Sequence, residues 1–154
     1  MIKNEKQMRI TEEKLDGMRA QLARLRKQHS RDFDYQFYSE TTQRHVDQMQ
    51  RELDYFRLAK SSDVDGLISM WNEHGRFRPE SKYDLTLGDF ICLLRIARGL
   101  TQEQLAKRLS IEQAHVARYE RNDYSGYSVE TLDQILDALG VRLTLGKGML
   151  PKAA

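Results

Sequence analysis

The chain has 154 residues, 40% hydrophobic and 31% charged, with 25 Lys/Arg against 23 Asp/Glu and a formal net charge of +2. That length suits one domain or two small ones, and the charge balance excludes a polybasic arm, so any nucleic-acid contact must come from local placement of residues. The single cysteine, Cys92, excludes an intramolecular disulfide, and no apolar run reaches the roughly 18 residues a membrane span needs.

Residues 8–28 read as a helix, with Thr11 as its cap and Glu12 and Glu13 in a first turn whose dipole favours acids. Leu15, Met18, Leu22 and Leu25 recur at 3-4-3 spacing and draw one narrow apolar stripe. A second stripe runs through Val46, Met49, Leu53 and Phe56, and an aromatic-rich stretch at 28–38 separates the two. Each stripe is too short for an independent coiled coil, so each helix needs a partner. Two arrangements satisfy this: an antiparallel hairpin, or helices that pair across a dimer or bind another protein.

Residues 61–84 break the pattern. A short helix around Leu67, Ile68, Met70 and Trp71 is followed by a loop containing Gly75 and Pro79. Trp71 has two readings, an anchor for a partner or the cover of a small core edge.

A second domain is expected from Leu85. Thr86 caps a helix to about Arg98, carrying Phe90, Ile91, Leu93, Leu94 and Ala97, and Gly99 ends it as a left-handed cap. Within the same apolar run Cys92 reads as a small buried hydrophobe. Thr101 caps the next helix, and Gln104 completes a capping box. A turn at Leu109-Ser110-Ile111 leads to a third helix from Gln113 to about Arg121. Ser128 then caps a fourth, Val129 to Leu139, stopped by Gly140. VRLTL at 141–145 alternates and reads as a short strand.

The stretch from Thr101 to Asn122 carries the strongest signal. Leu105, Ala106, Leu109, Ile111, Val116 and Tyr119 are the positions that two short, steeply crossing helices must bury, and Ala106 is small where they come closest. That is the helix-turn-helix pattern, whose second helix lies in the DNA major groove. On its exposed face Gln113, Ala114, His115, Ala117 and Arg118 are the candidate base readers. Arg pairs bidentately with guanine, Gln with adenine, and an Ala methyl touches thymine. Thr101 and Gln102 at the start of the preceding helix, and Arg121, Asn122 and Tyr124 after the third, are candidate phosphate contacts.

GLTQEQLAKRLSIEQAHVARYERN resembles the lambda-repressor-like, or XRE/Cro-type, helix-turn-helix regulators, and the resemblance extends over about Leu87 to Val141. It implies a four- or five-helix domain that binds a palindromic operator as a homodimer. In such a domain Gln102 contacts phosphate, Arg95 lies near the DNA backbone, and Glu120 has a structural role. Ser110 stands where the family usually has Gly, at a turn position needing an unusual backbone angle. Glu112 replaces the usual Ser or Thr cap, and Asn122 replaces a common Gly. With a helical hairpin in front, the chain also resembles antitoxins of bacterial toxin–antitoxin loci, which implies a toxin partner on the N-terminal helices.

The expected fold is all-α: a helical hairpin at 1–60, a linker with a short helix at 61–84, a lambda-repressor-like helix-turn-helix domain with a short C-terminal strand at 85–146, and a tail at 147–154. The two halves are expected to fold separately, so that a chain starting near Ser81 stays folded. The expected function is a sequence-specific, autoregulatory transcriptional repressor. The competing reading is a helical interaction subunit of a larger assembly without specific DNA binding. His29, His45, His74 and His115 are well separated, and no phosphate loop or paired acid site occurs, so no enzyme, metal or cofactor is expected. Residues 1–10 contain no apolar run of the secretory type, which leaves the cytoplasm as the expected location.

Overall fold

The computed structural model describes residues 1–28, 33–76 and 85–142; side chains at 28, 33–37 and 76 are not described. Seven helices are present among them: α1 (Glu5–Gln28), α2 (Phe33–Lys60), α3 (Val64–His74), α4 (Leu87–Ala97), α5 (Gln102–Arg108), α6 (Gln113–Arg121) and α7 (Val129–Ala138). The all-α expectation holds. The exception is a pair of two-residue strands that pair in parallel, β1 (Gly75–Arg76) in the stretch read as loop and β2 (Leu85–Thr86) at the expected head of the second domain. Two compact units result, Met1–Gly99 and Leu100–Ala154.

In the first unit α1 and α2 form an antiparallel hairpin. Arg57 meets Glu12 (2.8 Å), Lys60 meets Glu5 (3.1 Å), and Arg19 donates to Gln50 (2.9 Å), so partner numbers fall along one helix as they rise along the other. The two stripes bury against each other within one chain. Leu15, Leu22, Val46, Leu53 and Phe56 are buried, with Met18 and Met49 packed at the edge and Leu25 half-buried. Of the arrangements left open by the sequence, the intramolecular hairpin is the one formed, and the stripes no longer call for a dimer.

α1 starts before its expected cap. Asn4, not Thr11, accepts from the Gln7 N–H (2.9 Å), while the Gln7 side chain reaches back to the Lys3 N–H (2.8 Å). This reciprocal arrangement satisfies two orphan donors. The preceding Ile2 is 2% exposed and belongs to the hairpin core. Thr11 lies inside the helix.

α3 is capped by Asp63, whose carboxylate accepts from the Gly66 N–H (2.8 Å). Its Trp71 is buried and stacks on Phe90 of α4 with ring centroids 4.9 Å apart. Core cover, not an exposed anchor, is therefore its role. α4 opens on the expected capping box: Thr86 accepts from the Asp89 N–H (3.0 Å) and Asp89 accepts from the Thr86 N–H (3.2 Å). Phe90, Ile91, Cys92, Leu93, Leu94 and Ala97 are all buried, which makes α4 a central helix covered on nearly every side. It packs on α2 and α3 in the first unit, whereas its sequence position suggested the head of the second.

In the second unit Thr101 and Gln104 form the expected capping box on α5 (3.1 and 2.8 Å), and Ser128 caps α7 by accepting from the Thr131 N–H (3.2 Å). Gly99 and Gly140 terminate α4 and α7 with φ of 65° and 71°. Ile135, Leu136 and Leu139 bury the inner face of α7, and Arg108 donates to the Ala138 carbonyl (3.0 Å), tying the ends of α5 and α7 together. Of the expected strand at 141–145, Val141 and Arg142 carry no strand structure and 143–145 lie outside the described residues, as does the tail at 147–154.

Candidate nucleic-acid interface

Two short helices cannot stand alone in water, so the packing between α5 and α6 is what orders them. Leu105, Ala106 and Val116 are fully buried between them, and Leu109, Ile111 and Tyr119 are half-buried. The turn is closed by the Ile111 N–H donating to the Ala106 carbonyl (3.0 Å). Ser110 takes the left-handed conformation the turn demands, φ 55°, without being glycine.

α6 begins at Gln113 after Glu112, which has no side-chain cap bond. At about 100° per residue, Gln113, Ala114, Ala117, Arg118 and Arg121 fall within an arc of about 140°. Gln113, Ala114, Arg118 and Arg121 are exposed, and Ala117 is half-buried. The opposite side holds buried Val116. His115 lies just beyond the arc and is half-buried, so it sits at the margin of the presented face. This surface offers two guanidinium groups, a carboxamide and two methyl groups on a rigid helix, the chemistry that reads base edges.

The candidate phosphate residues divide. Arg121 and Asn122 are exposed at the end of α6. Thr101 is exposed, with its hydroxyl accepting from the Gln104 N–H. Gln102 is half-buried and donates Nε2–H to the Glu120 carboxylate (2.9 Å), which is itself 1% exposed. An amide nitrogen carries two hydrogens, so one donor remains to be used outward. Tyr124 is a correction: it is 4% exposed and packs its ring toward Tyr119 (6.1 Å), so it does not present a hydroxyl to phosphate. Arg95 is a second correction, buried in α4 with Nη2 3.8 Å from the Cys92 sulfur.

Asn122, standing where the family commonly has Gly, has φ −96°, and the left-handed angles fall instead on Asp123 (48°) and Tyr124 (53°). Beside these residues lies an aromatic cluster of Tyr119, Tyr124 and Tyr127, with Tyr127 edge-on to Tyr119 at 4.4 Å. Spacing of three tyrosines around a Gly-containing loop was the available signal. On α5, Lys107 is bound to Glu103 (2.8 Å); this hydrogen bond and the charge behind it hold the carboxyl below its usual range and the ammonium above it.

Residues 93–145 match the helix-turn-helix family. That stretch is a helix-turn-helix domain of the XRE, lambda-repressor-like type, the domain of DNA-binding transcription regulators. No curated protein and no solved structure matches the chain. No helix among the described residues is long and apolar enough to cross a membrane.

Proposed function

We propose that the protein is a sequence-specific transcriptional repressor that binds a palindromic operator in its own promoter as a homodimer, with Gln113, Ala114, Ala117 and Arg118 reading bases and His115 at the edge of that face. The observation that carries this reading is the exposed arc of α6, built on a helix whose other side is locked by Val116 and Tyr119. Thr101, Gln102, Arg121 and Asn122 surround it with hydrogen-bond donors for phosphate. The α1–α2 hairpin, whose apolar stripe is already satisfied, offers its outer faces to a toxin partner.

A second reading, an interaction subunit that binds no specific DNA, draws support from the charge of the second unit. Over 100–154 seven Lys/Arg are balanced by seven Asp/Glu, so that unit is near neutral, and Glu112 stands at the start of α6.

Selection of duplexes from a random pool, followed by anisotropy titration, separates the two. The repressor reading expects a palindrome with half-sites about 34 Å apart. It expects Arg118→Ala to cost about 1–3 kcal/mol and to relax preference at one base pair per half-site. No enrichment of any sequence supports the interaction subunit.

A further inference from the structure

Binding to duplex DNA draws its sequence-independent affinity from phosphates neutralised by Lys and Arg. The helix-turn-helix unit has no surplus of positive charge: over 100–154 seven Lys/Arg are balanced by seven Asp/Glu, and Lys107 is already bound to Glu103.

The first unit holds what the second lacks. α1 is divided by charge. Its acids are Glu5, Glu12, Glu13 and Asp16, and from Gly17 to Gln28 there is none, while Arg19, Arg24, Arg26 and Lys27 all fall there. The helix dipole accounts for cations in the last turn, Arg26 and Lys27, but its influence fades before Arg19 and Arg24. In the proximal half, ion pairs stitch α1 to α2 through Glu5–Lys60 and Glu12–Arg57. In the distal half, Arg24, Arg26 and Lys27 are exposed and have no hydrogen-bond or ion-pair partner among the described residues. Across from them on α2, Arg44 is paired with Glu40 (3.9 Å) and Asp47 accepts from Gln43 (2.8 Å). Arg19 and Arg26 lie two turns apart on one face and flank a cleft of about 320 Å³ whose wall includes Gln43, Asp47 and Gln50.

This part of the hairpin surface gives a protein partner no apolar or aromatic anchor beside its arginines. Besides the four bases, the exposed positions from 17 to 27 are Gly17, Ala20, Gln21 and Ala23. Exposed guanidinium and ammonium groups over small side chains suit a polyanionic backbone instead.

We propose that the distal half of α1 is a second DNA contact, in which Arg24, Arg26 and Lys27, with Arg19 beside them, neutralise backbone phosphates of duplex DNA. This rests on the DNA-binding reading above. Covalent linkage to the helix-turn-helix unit raises the local concentration of this surface around bound DNA, so contacts weak on their own add to affinity. They carry no base information.

The test uses the full chain carrying Arg24→Gln, Arg26→Gln and Lys27→Gln together, titrated against the selected operator and a scrambled duplex from about 50 to about 200 mM salt. Affinity for both duplexes is expected to fall about tenfold or more, and the slope of log K against log salt to decrease by about 2–3, with preference for the operator unchanged. Arg118→Ala is expected to do the reverse, losing preference with little change in slope. The double variant Arg24→Lys, Arg26→Lys keeps the charge and is expected to bind like the parent, which a purely structural role of the arginines would not give. If the triple variant binds both duplexes with the parent's affinity and slope, this surface does not contact DNA although the chain does. If the parent binds neither duplex, the DNA-binding reading and this inference fall together.

Discussion

Gln102 donates its side-chain amide to the buried carboxylate of Glu120, 2.9 Å away, joining the first residue of α5 to the penultimate residue of α6. The bond locks the two helices and leaves the second amide hydrogen free for the phosphate contact proposed above. Gln102→Ala removes a charge-assisted bond from a buried acceptor, and is expected to lower stability by about 1–3 kcal/mol in urea titration. It should also weaken operator and scrambled duplexes alike. Gln102→Glu would set a second carboxylate against Glu120 and should be worse on both counts; equal stability for the two variants would show that the bond contributes nothing.

Ser110 holds φ 55° where a side chain is strained. Ser110→Gly removes that strain and is expected to raise stability by about 1 kcal/mol, with base preference intact because the residue lies before α6. A lowered urea midpoint would mean that the added unfolded-state freedom of glycine outweighs the strain.

Much of this second unit is legible in the sequence because its signals are local. Thr101 with Gln104, Ser128, Gly99 and Gly140 act within a few residues, and the caps and stops lie where those residues stand. Tyr124 departs from its expected place because a polar tip says nothing about whether the rest of the side chain is covered, and Arg95 because a family position says nothing about what surrounds it in this chain. Their burial is decided by Tyr119 and by an α4 that is covered on nearly every side. The hairpin's pairing was open for the same reason: a stripe such as Leu15 and Leu22 states that a partner exists, and only the fold states that Val46 and Leu53 provide it. The early start of α1 was legible in Asn4 and Gln7, but Thr11 before two acids looked equally good.

Two glycines of the first unit should respond oppositely to alanine. A Cβ at Gly75 would collide with the Trp71 ring and the Trp71 carbonyl, and the Trp71–Phe90 stack leaves the ring no room to yield. Gly75→Ala is expected to cost about 1–3 kcal/mol through overpacking. Gly17 sits exposed inside α1 with open space around its Cβ position, so Gly17→Ala should stabilise by about 0.5–1 kcal/mol. Thermal unfolding of the two single variants checks the signs, and a shift in the same direction for both would refute the assignment of Trp71 as the obstacle.

A fragment starting near Ser81 tests where the chain can be divided. From the sequence that fragment looks self-sufficient, since α4 to α7 carry their own caps. In the structure α4 packs on α2 and α3, Phe90 stacks on Trp71, and Ile96 packs on the hairpin core. Cutting at Ser81 exposes those faces. Each large apolar side chain returned to water costs about 1.5–3 kcal/mol, and a domain's total stability is only about 5–15 kcal/mol. Losing cover over Phe90 and its neighbours is therefore enough to remove cooperative folding. The fragment is expected to unfold over a broad range, to bind a hydrophobic dye and to self-associate, while the full chain unfolds sharply. A sharp transition and a well-dispersed amide spectrum for the fragment would show instead that α4 needs only the helices that follow it.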